Sequence, residues 1–156
     1  MAQLITVPIS SFATPSANTD YCVATISAPT GVPCKIIEVT LCPEGIISTD
    51  GSFRYKVGIA SGPGTPGTAI TVAQNNPSLT LPSAITPTAT QWGSGTPSTL
   101  TTSQDTVSVP ATAPYYRDFR AKDMHIKEGT SFCVIANILG STNTNIKFSG
   151  YVLLEV

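Results

Sequence analysis

The sequence contains few charged residues. Asp, Glu, Lys and Arg make up 11% of its 156 residues, where soluble domains average about 25%. The net charge is −1 and no run of Lys or Arg occurs, which argues against electrostatic binding to nucleic acid or to an anionic membrane. Thr and Ser are abundant instead, so hydroxyl groups must cover much of the surface. Such a surface is weakly protected against association, which favours a protein covered by neighbours over a β-domain with no fixed partner.

Several residue patterns that carry catalytic chemistry are missing. His125 is the single histidine, no Gly-x-Ser-x-Gly sequence surrounds a serine, and no phosphate-binding glycine pattern occurs. The nearest pair of carboxylates is Asp118 with Asp123 or Glu128. Basic residues interleaved with them would lower their pKa values and disfavour an acid role. The sequence therefore predicts a protein that is not an enzyme and that binds no cofactor and no metal.

The four cysteines are predicted to remain reduced. A strand between Cys34 and Cys42 would hold them roughly 26 Å apart, beyond disulfide reach. Cys22 and Cys133 lie in apolar, strand-like runs, where a free cysteine behaves as a small buried side chain. None of the four has the close Cys/His spacing of a zinc site. The N-terminal residues show no basic leader and no long apolar run, which predicts synthesis in a cytoplasm without secretion.

The C-terminal residues 131–156 have the clearest strand pattern. The run 131–139 is apolar and rich in β-forming residues, and the run 146–156 places apolar residues at alternate positions. Turn-forming residues lie between the two runs, so they are predicted to form a hairpin. Because an apolar strand at an exposed edge invites aggregation, we expect 146–156 in the centre of a sheet or at a subunit interface.

The rest of the chain also favours strands. Residues 21–28, 35–42 and 52–61 alternate in polarity, and no long stretch has a helical period. The turn signal Asp50-Gly51 predicts a hairpin that joins 35–42 to 52–61. We therefore expect one all-β domain over residues 1–156.

Two regions are predicted to lie outside the main strands. Residues 1–18 contain a short candidate strand, Gln3 to Ile9, that we expect Pro8 to stop, followed by a loop, and they are interpreted as an N-terminal arm. Residues 61–113 are rich in Pro, Thr and Ser. They are interpreted as ordered loops with short strands at 69–74 and 105–109, because a structureless segment of that length is unusual inside a compact domain.

Two other features bear on partners. Trp92, the single tryptophan, lies in a Gly-bearing loop and is either an exposed anchor for a partner or a sugar, or a residue folded back on its own domain. Residues 115–128 hold four of the eight basic and three of the nine acidic residues. We interpret them as a solvated strand and turn with mutually offsetting charges, in preference to the polar rim of a binding site.

The C-terminal residues resemble the globular heads of the complement-type and tumour-necrosis-factor-like proteins. The matching segments are Ile126-Lys127-Glu128-Gly129, Phe132-Cys133-Val134-Ile135, 141–145 and Phe148-Ser149-Gly150-Tyr151-Val152-Leu153-Leu154. The most specific part is Phe-Ser-Gly-Tyr. The resemblance implies an antiparallel jelly-roll β-sandwich, usually a homotrimer with aromatic and aliphatic side chains along its three-fold axis. The same fold is reused in bacteriophage particles as decoration proteins, head fibres, knobs and tail components. The low charge and the predicted reduced cysteines of this chain are consistent with such a setting.

These observations predict a structural protein of a phage-type virion that forms a homotrimer and binds a capsid or tail lattice, with neither nucleic acid nor membrane as a partner. The alternative is a glycan- or receptor-binding module that uses Trp92 and residues 115–128, and a third possibility is a bacterial jelly-roll protein unrelated to viruses. The residues expected at interfaces are Leu4, Ile5, Val7, Trp92, Tyr151 and Leu153.

Overall fold

The computed structural model describes residues 2–10, 17–45, 51–65, 67–92, 97–140 and 146–156. The described residues form β-strands and one short 3₁₀ helix, Ser83–Ile85. The strands are β1 (Leu4–Ser10), β2 (Asp20–Ser27), β3 (Cys34–Glu44), β4 (Ser52–Ala60), β5 (Thr68–Ile70), β6 (Ala73–Gln74), β7 (Thr88–Gln91), β8 (Leu100–Pro110), β9 (Tyr115–Asp118), β10 (His125–Ile126), β11 (Ser131–Leu139) and β12 (Lys147–Glu155). Within these ranges there is no helix long and apolar enough to cross a membrane.

The strands form two antiparallel sheets that pack face to face. The first sheet has the order β10-β3-β12-β1-β6, and β9 also pairs with β3. The second sheet has the order β5-β7-β2-β11-β4-β8. The chain is therefore an all-β antiparallel β-sandwich, which confirms the predicted fold class.

The core lies between the sheets because alternate residues of each strand point inward. In β12, Phe148, Val152 and Leu154 are buried, as the alternating pattern predicts. Aromatic rings from both sheets meet them: the ring centroids of Phe53 and Phe148 lie 5.7 Å apart in an edge-on contact. The burial of one face of each strand supplies the main driving force for the fold.

The prediction that the C-terminal strand is central is confirmed, but the predicted hairpins are wrong. Strand β12 lies between β3 and β1 in the first sheet, whereas β11 lies between β2 and β4 in the second. Likewise β3 and β4 belong to different sheets. Polarity patterns identify strands but not their partners, and each of these connections crosses between the sheets. Residues 46–50 and 141–145, which include the predicted turns, lie outside the described residues.

The predicted N-terminal arm is wrong for residues 4–10, which form strand β1. Gln3 and Val156 exchange two backbone hydrogen bonds of 3.0 and 2.9 Å, and β1 continues this ladder along β12. The strand does not stop at Pro8, because the backbone nitrogen of Pro8 faces the side where β6 pairs only with Ile5 and Thr6. Proline is tolerated where no ladder hydrogen bond is required. Strand β1 is thus an inner strand of the first sheet.

The Pro/Thr/Ser-rich residues 61–113 contain more strand than the sequence predicts. In place of the single strand expected at 69–74 there are two short strands, β5 in the second sheet and β6 in the first. Strand β8 covers the expected 105–109 and extends back to Leu100, and β7 was not predicted. Most residues of β8 are exposed. Without an apolar alternation, Thr-rich strands of this kind are hard to distinguish from loops.

Candidate functional site

The outer face of the first sheet, turned away from the second sheet, carries the most distinctive surface of the sandwich. Strands β1, β3, β9 and β12 all contribute to it through their outward-pointing residues. The side chains that define this face are Leu4, Ile37, Glu38, Tyr116, Arg120, Tyr151 and Leu153. Apolar groups and a polar network lie side by side on it.

A β-bulge shapes this face. Leu153 pairs with Glu38, but the next residue, Leu154, pairs with Ile36, so Ile37 is the extra residue of β3. Such a bulge turns consecutive side chains toward the same face. Ile37 lines a surface hollow of about 290 Å³ beside Leu153, and Glu38 joins the polar network next to it.

The hollow has an apolar wall with charged groups around it. Its lining residues are Leu4, Lys35, Ile37, Arg120, Leu153 and Glu155. Leu4 is 41% exposed, one of the four large hydrophobic residues that are exposed among those described. Leu153 beside it is half-buried and Ile37 is buried. Apolar surface that is rimmed by charges is typical of protein interaction surfaces.

The polar network is centred on Glu38, whose side chain is only 10% exposed. Tyr151 donates its hydroxyl hydrogen to Oε1. Tyr116 donates to Oε2 at 3.3 Å, and an Arg120 nitrogen lies 3.4 Å from the same oxygen. A carboxylate at this depth requires such partners, because burying it unpaired is costly. The hydrogen bond to Glu38 raises the pKa of Tyr151 above its ordinary value.

Arg120 is fixed by Asp118 as well as by Glu38. Its backbone N–H donates to Asp118 Oδ1 at 2.8 Å and its guanidinium to Oδ2 at 2.6 Å. These bonds lower the pKa of Asp118. The network therefore holds two tyrosines and an arginine in fixed positions, and these residue types dominate the binding energy of protein interfaces.

Two of the three carboxylates of residues 115–128, Asp118 and Asp123, lie beside basic side chains. Besides the pair of Asp118 and Arg120, Asp123 Oδ1 lies 2.9 Å from His125 Nε2 and 3.8 Å from Lys35 Nζ. The hydrogen bond to His125, together with the nearby charges, lowers the pKa of Asp123. The predicted direction of both pKa shifts is confirmed. Within the described ranges, no group of three or more His, Cys, Asp or Glu residues could hold a metal ion.

The structure separates the six residues predicted at interfaces into two groups. Leu4, Tyr151 and Leu153 share the outer face of the first sheet. Ile5 and Val7 are fully buried in the core of the sandwich, so they present no surface to a partner. The alternation of apolar and polar side chains at Ile5, Thr6 and Val7 indicates this inward orientation.

Trp92 is also buried, with 2% of its surface exposed. It packs on the side of the second sheet that faces away from the core, in a cluster with Cys22, Cys133 and Ile135. Its Nε1 donates to Thr25 Oγ1 at 3.0 Å. An exposed Trp92 anchor, as required for the proposed sugar-binding alternative, is therefore contradicted.

The outward orientation of Ile37 and Glu38, both largely buried, is not predicted from the sequence. The available signal was Glu38 itself, an acidic residue between the apolar residues Ile37 and Val39. No protein-family model matches the chain, and no match was found among curated proteins or solved structures. Function is therefore inferred from the surfaces of the chain itself.

Proposed function

We propose that the chain is a non-enzymatic structural protein of a phage-type virion, a capsid decoration or accessory protein that self-associates through the outer face of the first sheet. The observation that carries the proposal is the composition of that face. An apolar group formed by the exposed Leu4 and the half-buried Leu153 adjoins the fixed Tyr151, Tyr116 and Arg120.

The order of the strands supports a jelly roll as the finer description of the sandwich. Four strands of each sheet follow the order β9-β3-β12-β1 in the first sheet and β8-β4-β11-β2 in the second. From β1 to β4 the chain alternates between the sheets, and β11 and β12 alternate again. Two four-stranded sheets connected in this way are characteristic of jelly rolls, a fold common in viral particles.

The proposed assembly is a homotrimer, which follows from the resemblance of residues 126–154 to the complement-type and tumour-necrosis-factor-like heads. Tyr151 and Leu153 belong to that segment and lie on the outer face. Burial of this face between copies would desolvate Leu153 and the side of Leu4 that lines the hollow beside it, and leave the Glu38 network at its border. Repetition about a symmetry axis would add avidity to each contact with a capsid or tail lattice.

Light scattering on a sizing column tests the self-association. We expect a mass of three times 16.2 kDa for the unmodified chain. Leu153→Asp should give a monomer with an unchanged circular dichroism spectrum, because it places a charge in the apolar group. The matched control is Ile59→Asp, since Ile59 is 37% exposed on β4 of the other sheet and should leave the trimer intact. A monomeric unmodified chain at tens of micromolar would contradict the proposal.

The virion assignment has a separate test. The genes that neighbour the coding sequence should encode head or tail proteins, and the chain should co-purify with the particles they produce. Particles that lack the chain under conditions where it is expressed would count against this assignment, whatever the oligomeric state.

A further inference from the structure

A second and larger hollow lies at the corner of the first sheet, where residues 74–79 leave the edge of β1. It has a volume of about 520 Å³. The residues that matter to its chemistry are Gln3, Leu4, Gln74, Asn75, Asn76 and Leu79. None of its lining residues is charged. A ligand of this corner hollow must therefore be uncharged where it makes contact, because a buried charge would have no counter-ion.

The hollow concentrates exposed apolar surface. Leu4 is 41% and Leu79 is 44% exposed, and these are two of the four large hydrophobic residues exposed in the described part of the chain. Both line the same hollow. An apolar side chain of a ligand, placed between Leu4 and Leu79, would be removed from water together with these two side chains. The gain in free energy is proportional to the apolar area buried.

Two carboxamides at the hollow have their carbonyl ends engaged. Asn75 Oδ1 accepts a hydrogen bond from the Thr6 hydroxyl at 2.6 Å. Asn76 Oδ1 accepts one from the Ser78 backbone N–H at 3.0 Å. Their NH₂ groups have no partner among the described residues and are donors for a ligand carbonyl.

Two other carboxamides at the hollow lack a hydrogen-bond donor for their oxygen atoms. The Oε1 atoms of Gln3 and Gln74 are enclosed and have no donor among the described residues. A buried acceptor without a partner is unfavourable, and such groups in a folded protein call for an explanation. An N–H group of a ligand would supply the missing donor once either side chain turns toward it.

The hollow also adjoins the end of a sheet. Strand β6 is the last strand of the first sheet, so no other described strand pairs with its outer edge. Gln74 pairs with Ile5 and Ala73 with Thr6 on the inner side only. An extended peptide can add to such an edge, where backbone hydrogen bonds give affinity and a pocket selects a side chain.

We propose that the corner hollow binds an extended, uncharged peptide segment of the lattice protein, with one leucine-sized side chain between Leu4 and Leu79. The carboxamides of Asn75 and Asn76 donate to its backbone carbonyls, and Gln3 and Gln74 accept from its backbone N–H groups. The identity of the source as a lattice protein rests on the proposed virion function. The apolar pair favours a peptide over a neutral sugar, which has hydroxyl groups on most of its surface.

The test is a titration of the isotope-labelled full chain with the capped hexapeptide acetyl-Gly-Thr-Leu-Thr-Gly-Thr-amide, followed by NMR. We expect saturable shift changes at residues 3–4 and 74–79, with weak affinity. Leu79→Asp should weaken binding about tenfold or more, because the apolar contact is lost. Leu79 lies outside the strands, so this variant should fold. Ile59→Asp is the matched exposed control and should bind normally. The same peptide with Asp in place of Leu should not bind.

Absence of shifts at these residues, or equal binding by Leu79→Asp, would overturn the proposal. Shifts at the same residues with maltose or lactose but not with the peptide would replace the peptide by a sugar as the ligand. The solution mass measured on the same sample keeps the two proposals separate. A trimer that ignores the peptide defeats this inference alone, and a monomer that binds the peptide defeats only the self-association.

Discussion

Arg117 and Asp105 join the edges of the two sheets. Arg117 lies on β9 of the first sheet, and its Nε is 2.9 Å from Asp105 Oδ2 on β8 of the second. The buried hydroxyl of Tyr115 donates to the same oxygen at 3.1 Å. Asp105 is the single charged residue between Val57 and Tyr116. This single charge therefore links the edge of the first sheet to the edge of the second.

Asp105→Asn should destabilise the chain by about 1–3 kcal/mol, because Arg117 loses its counter-ion and the Tyr115 hydroxyl loses a charged acceptor. The side chain of Asp105 is only 14% exposed, so water replaces these contacts poorly. Urea unfolding followed by circular dichroism measures the change. Asp118→Asn is the matched control, because it removes an exposed ion pair and should shift the midpoint much less. Equal shifts for the two variants would contradict the bridging role.

Gly150→Ala should destabilise the chain by about 2 kcal/mol or more. A Cβ atom at this position would lie 2.0 Å from the backbone oxygen of Thr40 on the neighbouring strand β3. Relief requires the two central strands to separate. Ser149→Ala, one residue earlier, should change the urea midpoint little. A Gly150→Ala chain as stable as the unmodified one would mean that the strands accommodate the methyl group.

Trp92→Ala should destabilise the chain by about 3–5 kcal/mol, the usual cost of removing a large buried aromatic. Trp92→Phe should cost less, because it keeps most of the packing and loses the hydrogen bond to Thr25 and part of the ring contact area. Since Trp92 is the single tryptophan, its fluorescence should be poorly quenched by acrylamide in the folded chain. Efficient quenching, with unchanged stability of Trp92→Ala, would favour the exposed anchor, one of the two alternatives that the sequence left open.

Alkaline pH should reduce stability through Cys34. Burial raises the pKa of this thiol from 9.0 to about 11. The folded state therefore holds the proton more tightly, and stability falls as the pH rises from about 9 to 11, by about 2–3 kcal/mol. Burial also raises the pKa values of Tyr55 and Tyr115, which adds a loss above pH 10.

Cys34→Ala isolates the contribution of the thiol. The variant keeps both tyrosines, so its urea midpoint should fall less than that of the unmodified chain between pH 8 and pH 11. The gap in stability between the two chains should narrow accordingly. A gap that stays constant with pH would show that Cys34 does not titrate as its burial requires.

Much of the fold could be predicted because polarity alternates along the strands. The inward face of β12 was predicted from the spacing of Phe148, Val152 and Leu154, and the Phe-Ser-Gly-Tyr motif has a local physical reason in the close approach of Thr40 to Gly150. The pairing of strands was not predictable in this way. Turn residues between two strands fit a hairpin and a crossing between sheets equally well, so β11 and β12 were joined wrongly.

The candidate site was only partly predictable for a related reason. The outward positions of Tyr151 and Leu153 follow from the strand period. Ile37 and Glu38 depend on a one-residue bulge opposite Leu153, which no spacing within β3 reveals. The position of Trp92 depends on contacts with Thr25 and Cys133 that lie far away in the sequence.

The pairing of β1 with β12 has a consequence for how the chain acquires its structure. Val7 pairs with Val152, so the first and last strands of the described chain are neighbours in the middle of one sheet. During synthesis, the apolar side of β1 remains unpaired until nearly the whole domain has left the ribosome. Contacts between such distant segments form slowly, and transiently exposed strands associate with one another. High-level expression should therefore strain chaperone capacity, and slower synthesis at low temperature should raise the yield of folded chain.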